Sequence, residues 1–76
     1  MKKITTRQLQ VLEALQEYQL EYGYSPTIRE LCNLLGVTSS ATVHRILQKL
    51  KQHDRISYEP RTHRSIVVHY HDEEVD

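Results

Sequence analysis

This chain has little of what usually marks a stapled, membrane-bound or catalytic protein. Its one cysteine, Cys32, rules out an internal disulfide. That residue follows Leu31 on an amphipathic stretch, where a thiol packs as a small apolar group. It lies among leucines rather than at an electropositive helix start, so it does not read as a nucleophile. No apolar run approaches the roughly 20 residues that cross a bilayer, and no secretory h-region is present. A cytoplasmic, nucleoid-associated protein without membrane contact is expected. The two glycines are far apart and cannot form a phosphate-cradling loop. Ser39 and Ser40 stand near His44, but a helix cap and phosphate contacts explain the serines better than a nucleophile and its base. No enzymatic activity, cofactor or small-molecule substrate is expected. Five histidines raise the question of a metal. His69 and His71 would share one face of a strand with His63 approaching from a loop, yet no Cys-x-x-Cys pair accompanies them. They read as solvated strand-end residues, with no metal site.

Net charge is zero, which at first argues against a nucleic-acid partner, but the charges are segregated. Every lysine and arginine falls between Lys2 and Arg64, while Asp72, Glu73, Glu74 and Asp76 crowd the end. Residues 1–71 hold ten basic and six acidic side chains, a formal charge of +4. The 76 residues make one small domain with a core just large enough to fold unaided. We divide the chain into a basic body, 1–71, and an acidic tail or linker start, 72–76.

Three helical patterns fill the first two thirds of the body. Thr5 with Gln8 forms a capping box, and Ile4 is placed to staple onto Leu9. Leu9, Leu12 and Leu15 form a buried stripe with Val11 or Tyr18 at its edges, opposite an acidic row of Glu13, Glu17 and Glu21. Gly23 ends this helix, and Tyr24-Ser25-Pro26 makes a rigid connector. A second capping box, Thr27 with Glu30, opens a helix carrying Leu31, Leu34 and Leu35. Gly36 closes it in the left-handed conformation, and Val37 plugs the turn. Ser39 then caps a third helix whose Val43, Ile46, Leu47 and Leu50 recur at i, i+3, i+4 and i+7. Opposite that stripe stand Ala41, Arg45, Gln48 and Gln52, flanked by Thr42 and His44. Such a face is small where it starts and carries hydrogen-bonding groups further on, as a helix entering the major groove requires.

Beyond Gln52 the period changes. His53-Asp54-Arg55 is a turn with Asp54 at a left-handed position. Ile56-Ser57-Tyr58 alternates as a strand, residues 59–65 form a polar loop, and Ile66 to Tyr70 is a β-branched second strand. Three helices followed by a two-stranded β-hairpin make a small α+β winged helix-turn-helix. The tip of the wing carries Arg61, His63 and Arg64, basic where it would meet phosphate or a neighbouring groove. The competing reading is a winged-helix protein-interaction module, for example a mobile-element protein engaging a host repressor or RNA polymerase. Such a surface favours exposed Leu, Met, Trp or Phe anchors. The polar outer face of the third helix favours DNA instead.

Three blocks then stand in register: T-x-R-Q-x-x-V-L in the first helix, G-Y-x-P-T-x-R-E-L into the second, and L-G-V-x-S-S-x-T-V-H opening the third. With them the chain resembles, from Thr5 to about Val68, the N-terminal DNA-binding domain of the LexA family of SOS-response repressors. The third block is similar to the Gram-positive branch. The resemblance implies sequence-specific binding as a dimer to a palindromic double-stranded operator. Because no long apolar stripe lies outside the core and the tail after Tyr70 is charged, the chain is expected to be monomeric or weakly associated without DNA and to form the homodimer on it. It implies a base-reading surface of Ser39, Ser40, Ala41, Thr42, His44 and Arg45. Thr5, Arg7, Thr27 and Arg29 match positions suited to the phosphate backbone, and Arg64 matches a wing residue. Lys49 and Arg61 add to the basic surface. Two departures stand out. The turn before the first strand, glycine in most of the family, has Asp54. The family's Ser–Lys self-cleaving domain, its Ala-Gly cleavage bond and its main dimerisation surface are expected to be absent from this chain.

Overall fold

In the computed structural model the described residues are 4–59, 61–62 and 64–69. The basic arm 1–3, His63, and the acidic tail with Tyr70 and His71 lie outside them. Three helices, α1 (Thr6–Tyr22), α2 (Ile28–Leu35) and α3 (Ser40–Gln52), precede two short strands, β1 (Ile56–Ser57) and β2 (Val67–Val68). The strands pair antiparallel, Ile56 opposite Val68 and Ser57 opposite Val67. The chain is a winged helix-turn-helix.

Local chemistry sets the helix ends. At Thr5 and Thr27 both halves of the capping box are made, the threonine oxygen accepting from the third residue's N–H and that residue's side chain accepting from the threonine N–H. Gly23 (φ 81°) and Gly36 (φ 71°) close α1 and α2 in the left-handed region. The third cap departs from expectation, because Ser39 occupies the cap position without a side-chain hydrogen bond. Its backbone ψ is 117°, against 167° at both threonine caps, so its hydroxyl is turned off the first-turn N–H groups. Asp54 does adopt the left-handed turn (φ 60°).

All three helices and both strands contribute to the core. Val43, Leu47 and Leu50 of α3 are fully buried, with Ile46 packed at the edge. The other stripes are rotated from their expected positions. On α1, Val11 is at the centre with Leu12 and Leu15, while Leu9 is 43% exposed. Leu9 lies about 120° around the helix from Leu15, too far to share its face. Ile4 packs on the core nonetheless. On α2, Cys32 takes the place expected of Leu34, which is 53% exposed. The buried and half-buried apolar positions of α2 are then Ile28, Leu31, Cys32 and Leu35, a clean i, i+3, i+4, i+7 stripe. From the wing come Ile56, Tyr58, Ile66 and Val68.

Candidate nucleic-acid interface

The outer face of α3 is solvent-facing along its length. Ser39, Ser40, Ala41, Arg45, Gln48 and Gln52 are exposed, and Thr42 and His44 are half-buried at the flanks. This follows from the opposite stripe: once Val43, Leu47 and Leu50 are buried, residues half a turn away face water. The six expected base-reading residues therefore gather at the cap and first two turns of one helix. Because Ser39 makes no cap, its hydroxyl is uncommitted. A groove of about 830 Å³ between α2 and α3 has Arg29, Ser40 and His44 on its walls, bringing a backbone-contact candidate beside the base-reading set.

A second cleft, about 490 Å³, opens between the first turn of α2 and the wing. Thr27, Arg29, Arg61, Thr62 and Arg64 line it. Thr27 Oγ1 accepts from the Glu30 N–H at 3.1 Å, which leaves its own hydroxyl proton free to donate. Thr5 is capped in the same way at the start of α1, and Arg7 beside it is exposed, bonded to Gln10 at 3.3 Å. Lys49 is exposed on α3. Thr5, Arg7 and Lys49 line neither cleft.

Arg64 lies on the wing loop as expected, but its side chain is engaged with the helices. Its backbone is left-handed (φ 53°), and the side chain folds back onto the helices. Nη1 donates to Glu30 Oε1 at 3.0 Å and to the Ser25 carbonyl at 2.9 Å, while Nη2 donates to Glu30 Oε2 at 3.2 Å. The guanidinium carbon stands 4.5 Å from the centroid of Tyr24. With both terminal nitrogens committed, the group pins the wing to the connector and to α2. The Glu30 pKa is lowered to about 2, first by the Thr27 backbone N–H and then by Arg64, so the group is an ionised carboxylate. The Tyr18 hydroxyl also donates to it at 3.0 Å, and partial burial raises the Tyr18 pKa. Arg61 is exposed on the wing as well, and among the described residues no hydrogen bond ties its guanidinium to the helices.

Tyr58, expected only as a strand residue, also belongs to the site. Its hydroxyl is hydrogen-bonded to His44 Nδ1 across the junction of β1 and α3. The signal was present in the strand alternation, which puts Tyr58 on the inward face with Ile56 and obliges its hydroxyl to find a partner. His69, expected as a solvated strand-end residue, is instead half-buried with both ring nitrogens engaged, Nε2 with Ser57 Oγ at 2.8 Å and Nδ1 beside Asp54 at 3.2 Å. Among the described residues no group of three or more His, Cys, Asp or Glu side chains is placed to hold a metal ion. Nor is any described helix long and apolar enough to cross a membrane.

Capped helices in helix-turn-helix order, a polar face on α3 and a docked basic wing define a DNA-binding winged helix. The family model of the LexA DNA binding domain matches residues 1–65. The chain belongs to that family. It is 38% identical over 66 residues to the LexA repressor of Acetivibrio thermocellus, covering 87% of this chain and 31% of that protein. Against the LexA repressor of Desulfatibacillum aliphaticivorans the identity is 40% over 68 residues, with 90% and 34% covered. That of Ligilactobacillus salivarius is 37% identical over 68 residues, with 90% and 33% covered. The chain spans about a third of the length of these relatives.

Proposed function

We propose that this domain binds a palindromic double-stranded operator and acts as a transcriptional repressor. One observation carries the reading: the face of α3 that is free of the core runs from small residues to Arg45, and the groove beside it leads to Arg29 and the basic wing cleft. In the bound state α3 lies in the major groove. Ser39, Ser40, Ala41, Thr42, His44 and Arg45 read base edges. Thr5, Arg7, Thr27, Arg29, Lys49 and Arg61 hold the phosphate backbone. Two copies meet on the palindrome, where DNA raises their effective concentration, and the isolated domain is monomeric. Among the described residues the large exposed apolar side chains are Leu9, Leu20, Tyr22, Tyr24, Leu34 and Val67, none of them on α3. The face of α3 therefore suits a polar groove rather than a protein partner.

Fluorescence anisotropy with a LexA-type palindrome and a scrambled duplex, across a range of salt, tests this. The expected result is tighter binding to the palindrome and a steep loss of affinity as salt rises, from counterion release. Equal affinity for the two duplexes at moderate salt would refute the specific reading.

A further inference from the structure

Tyr58 and His44 form a matched pair at the junction of the wing and α3. Tyr58 is 5% exposed, so its hydroxyl has been withdrawn from water, and His44 Nδ1 is the partner it has found. The ring centroids are 5.7 Å apart with planes at 39°. The tyrosine is held from several sides. Lys51 Nζ donates to its carbonyl at 3.2 Å, and Ile56, two residues earlier, is paired with Val68. His44 is half-buried on the flank of α3, one residue before Arg45. The tyrosine is thus the fixed member and the imidazole the member it orients.

A neutral imidazole presents one nitrogen as donor and the other as acceptor, and the bond made by one nitrogen decides the role of the other. An imidazole nitrogen is a far stronger base than a phenol oxygen, and a phenol is the more acidic donor of the two. The stable arrangement has the Tyr58 O–H donating to Nδ1, which places the ring proton on Nε2. Nε2 has no hydrogen-bond partner among the described residues.

We infer that Tyr58 is a positioning residue for base recognition, holding His44 in the Nε2–H tautomer so that it meets the major groove as a hydrogen-bond donor. This rests on the proposed DNA function and names the chemistry His44 selects. A donor at that point can donate to the N7 or O6 of guanine, the N7 of adenine or the O4 of thymine, and is mismatched against the N4 amino group of cytosine. Without the hydroxyl, both tautomers are populated and His44 can pair with an acceptor or a donor.

The test has an arm without DNA and an arm with it. In the free protein, nitrogen-15 NMR of the neutral His44 ring should show the Nε2–H tautomer. Tyr58→Phe, which keeps the ring and its packing, should show a mixture. On DNA, a panel of single-base variants with His44→Ala first locates the base pair that His44 faces. Wild type should disfavour cytosine there by about tenfold. Tyr58→Phe should lose that discrimination while keeping the preference set by Arg45. A wild-type ring protonated on Nδ1 would overturn the inference, and this measurement needs no variant to fold. So would a folded Tyr58→Phe with discrimination intact. If wild type showed no base preference at any position, the DNA reading itself would fall and this role with it. Failure of the pairing alone leaves the other preferences in place.

Discussion

Arg64 and Glu30, 34 residues apart in sequence, are joined by parallel bonds of 3.0 and 3.2 Å. The same carboxylate accepts the Thr27 backbone N–H at 2.9 Å and the Tyr18 hydroxyl at 3.0 Å. One side chain therefore completes the cap of α2, receives a donor from α1 and docks the wing. The orientation of the wing relative to α3 depends on this junction, and with it the geometry offered to a duplex.

Removing either wing arginine should separate docking from gripping. Arg64→Ala is expected to lower the thermal midpoint and speed amide exchange in residues 65–68, because the wing loses its anchor on Glu30 and Ser25. Arg61→Ala should leave unfolding unchanged. It should weaken binding to every duplex about equally and reduce the salt slope by roughly 1. Differential scanning fluorimetry, hydrogen exchange and salt-dependent anisotropy read the two effects apart.

Acid should act through Glu30. Its folded-state pKa is held at about 2, below the ordinary 4.5. The carboxylate therefore contributes its full stabilisation above pH 4.5, and that contribution is lost as the pH falls toward 2. Urea unfolding across this window should show declining stability in wild type. Glu30→Gln should start lower and decline less. Identical slopes for the two proteins would show that Glu30 is not the titrating group.

The helix caps should prove unequal. Thr27→Ala deletes a hydrogen bond that is made, and should cost about 1 kcal/mol. Ser39→Ala removes a hydroxyl that makes no cap bond, and should cost a small fraction of that. Chemical denaturation of the two variants compares them directly, and equal losses would contradict the cap geometry at Ser39.

Arg45 stands opposite the buried Val43 and Leu47 and makes no contact the fold requires. Arg45→Ala should cost roughly 1–3 kcal/mol on the preferred site and relax base choice at one position per half-site. Circular dichroism should be unchanged. Retention of the full base preference would move the specific contact to His44 or Thr42.

Sequence alone determined the three helices, two of their caps, both left-handed glycines, the left-handed Asp54 and the polar face of α3. Each depends on residues within a turn or two of one another, where spacing and side-chain chemistry leave few choices. The rotation of α1 and α2 was present in the spacing but masked by leucine chemistry. Leu9 lies about 120° around the helix from Leu15, and Ile28, Leu31, Cys32 and Leu35 keep the helical period that Leu34 breaks, so the period itself favours Val11 and Cys32. Ser39 was decided by the tertiary structure, since the turn after Gly36 sets its ψ and carries its hydroxyl off the helix. Arg64 and Tyr58 were beyond local reading for a stronger reason. The destination of a guanidinium on a loop depends on which carboxylate the fold brings near it. The partner of a buried hydroxyl depends on which helix passes beneath the strand. Both are contacts between distant parts of the chain, and they exist only after the wing has docked.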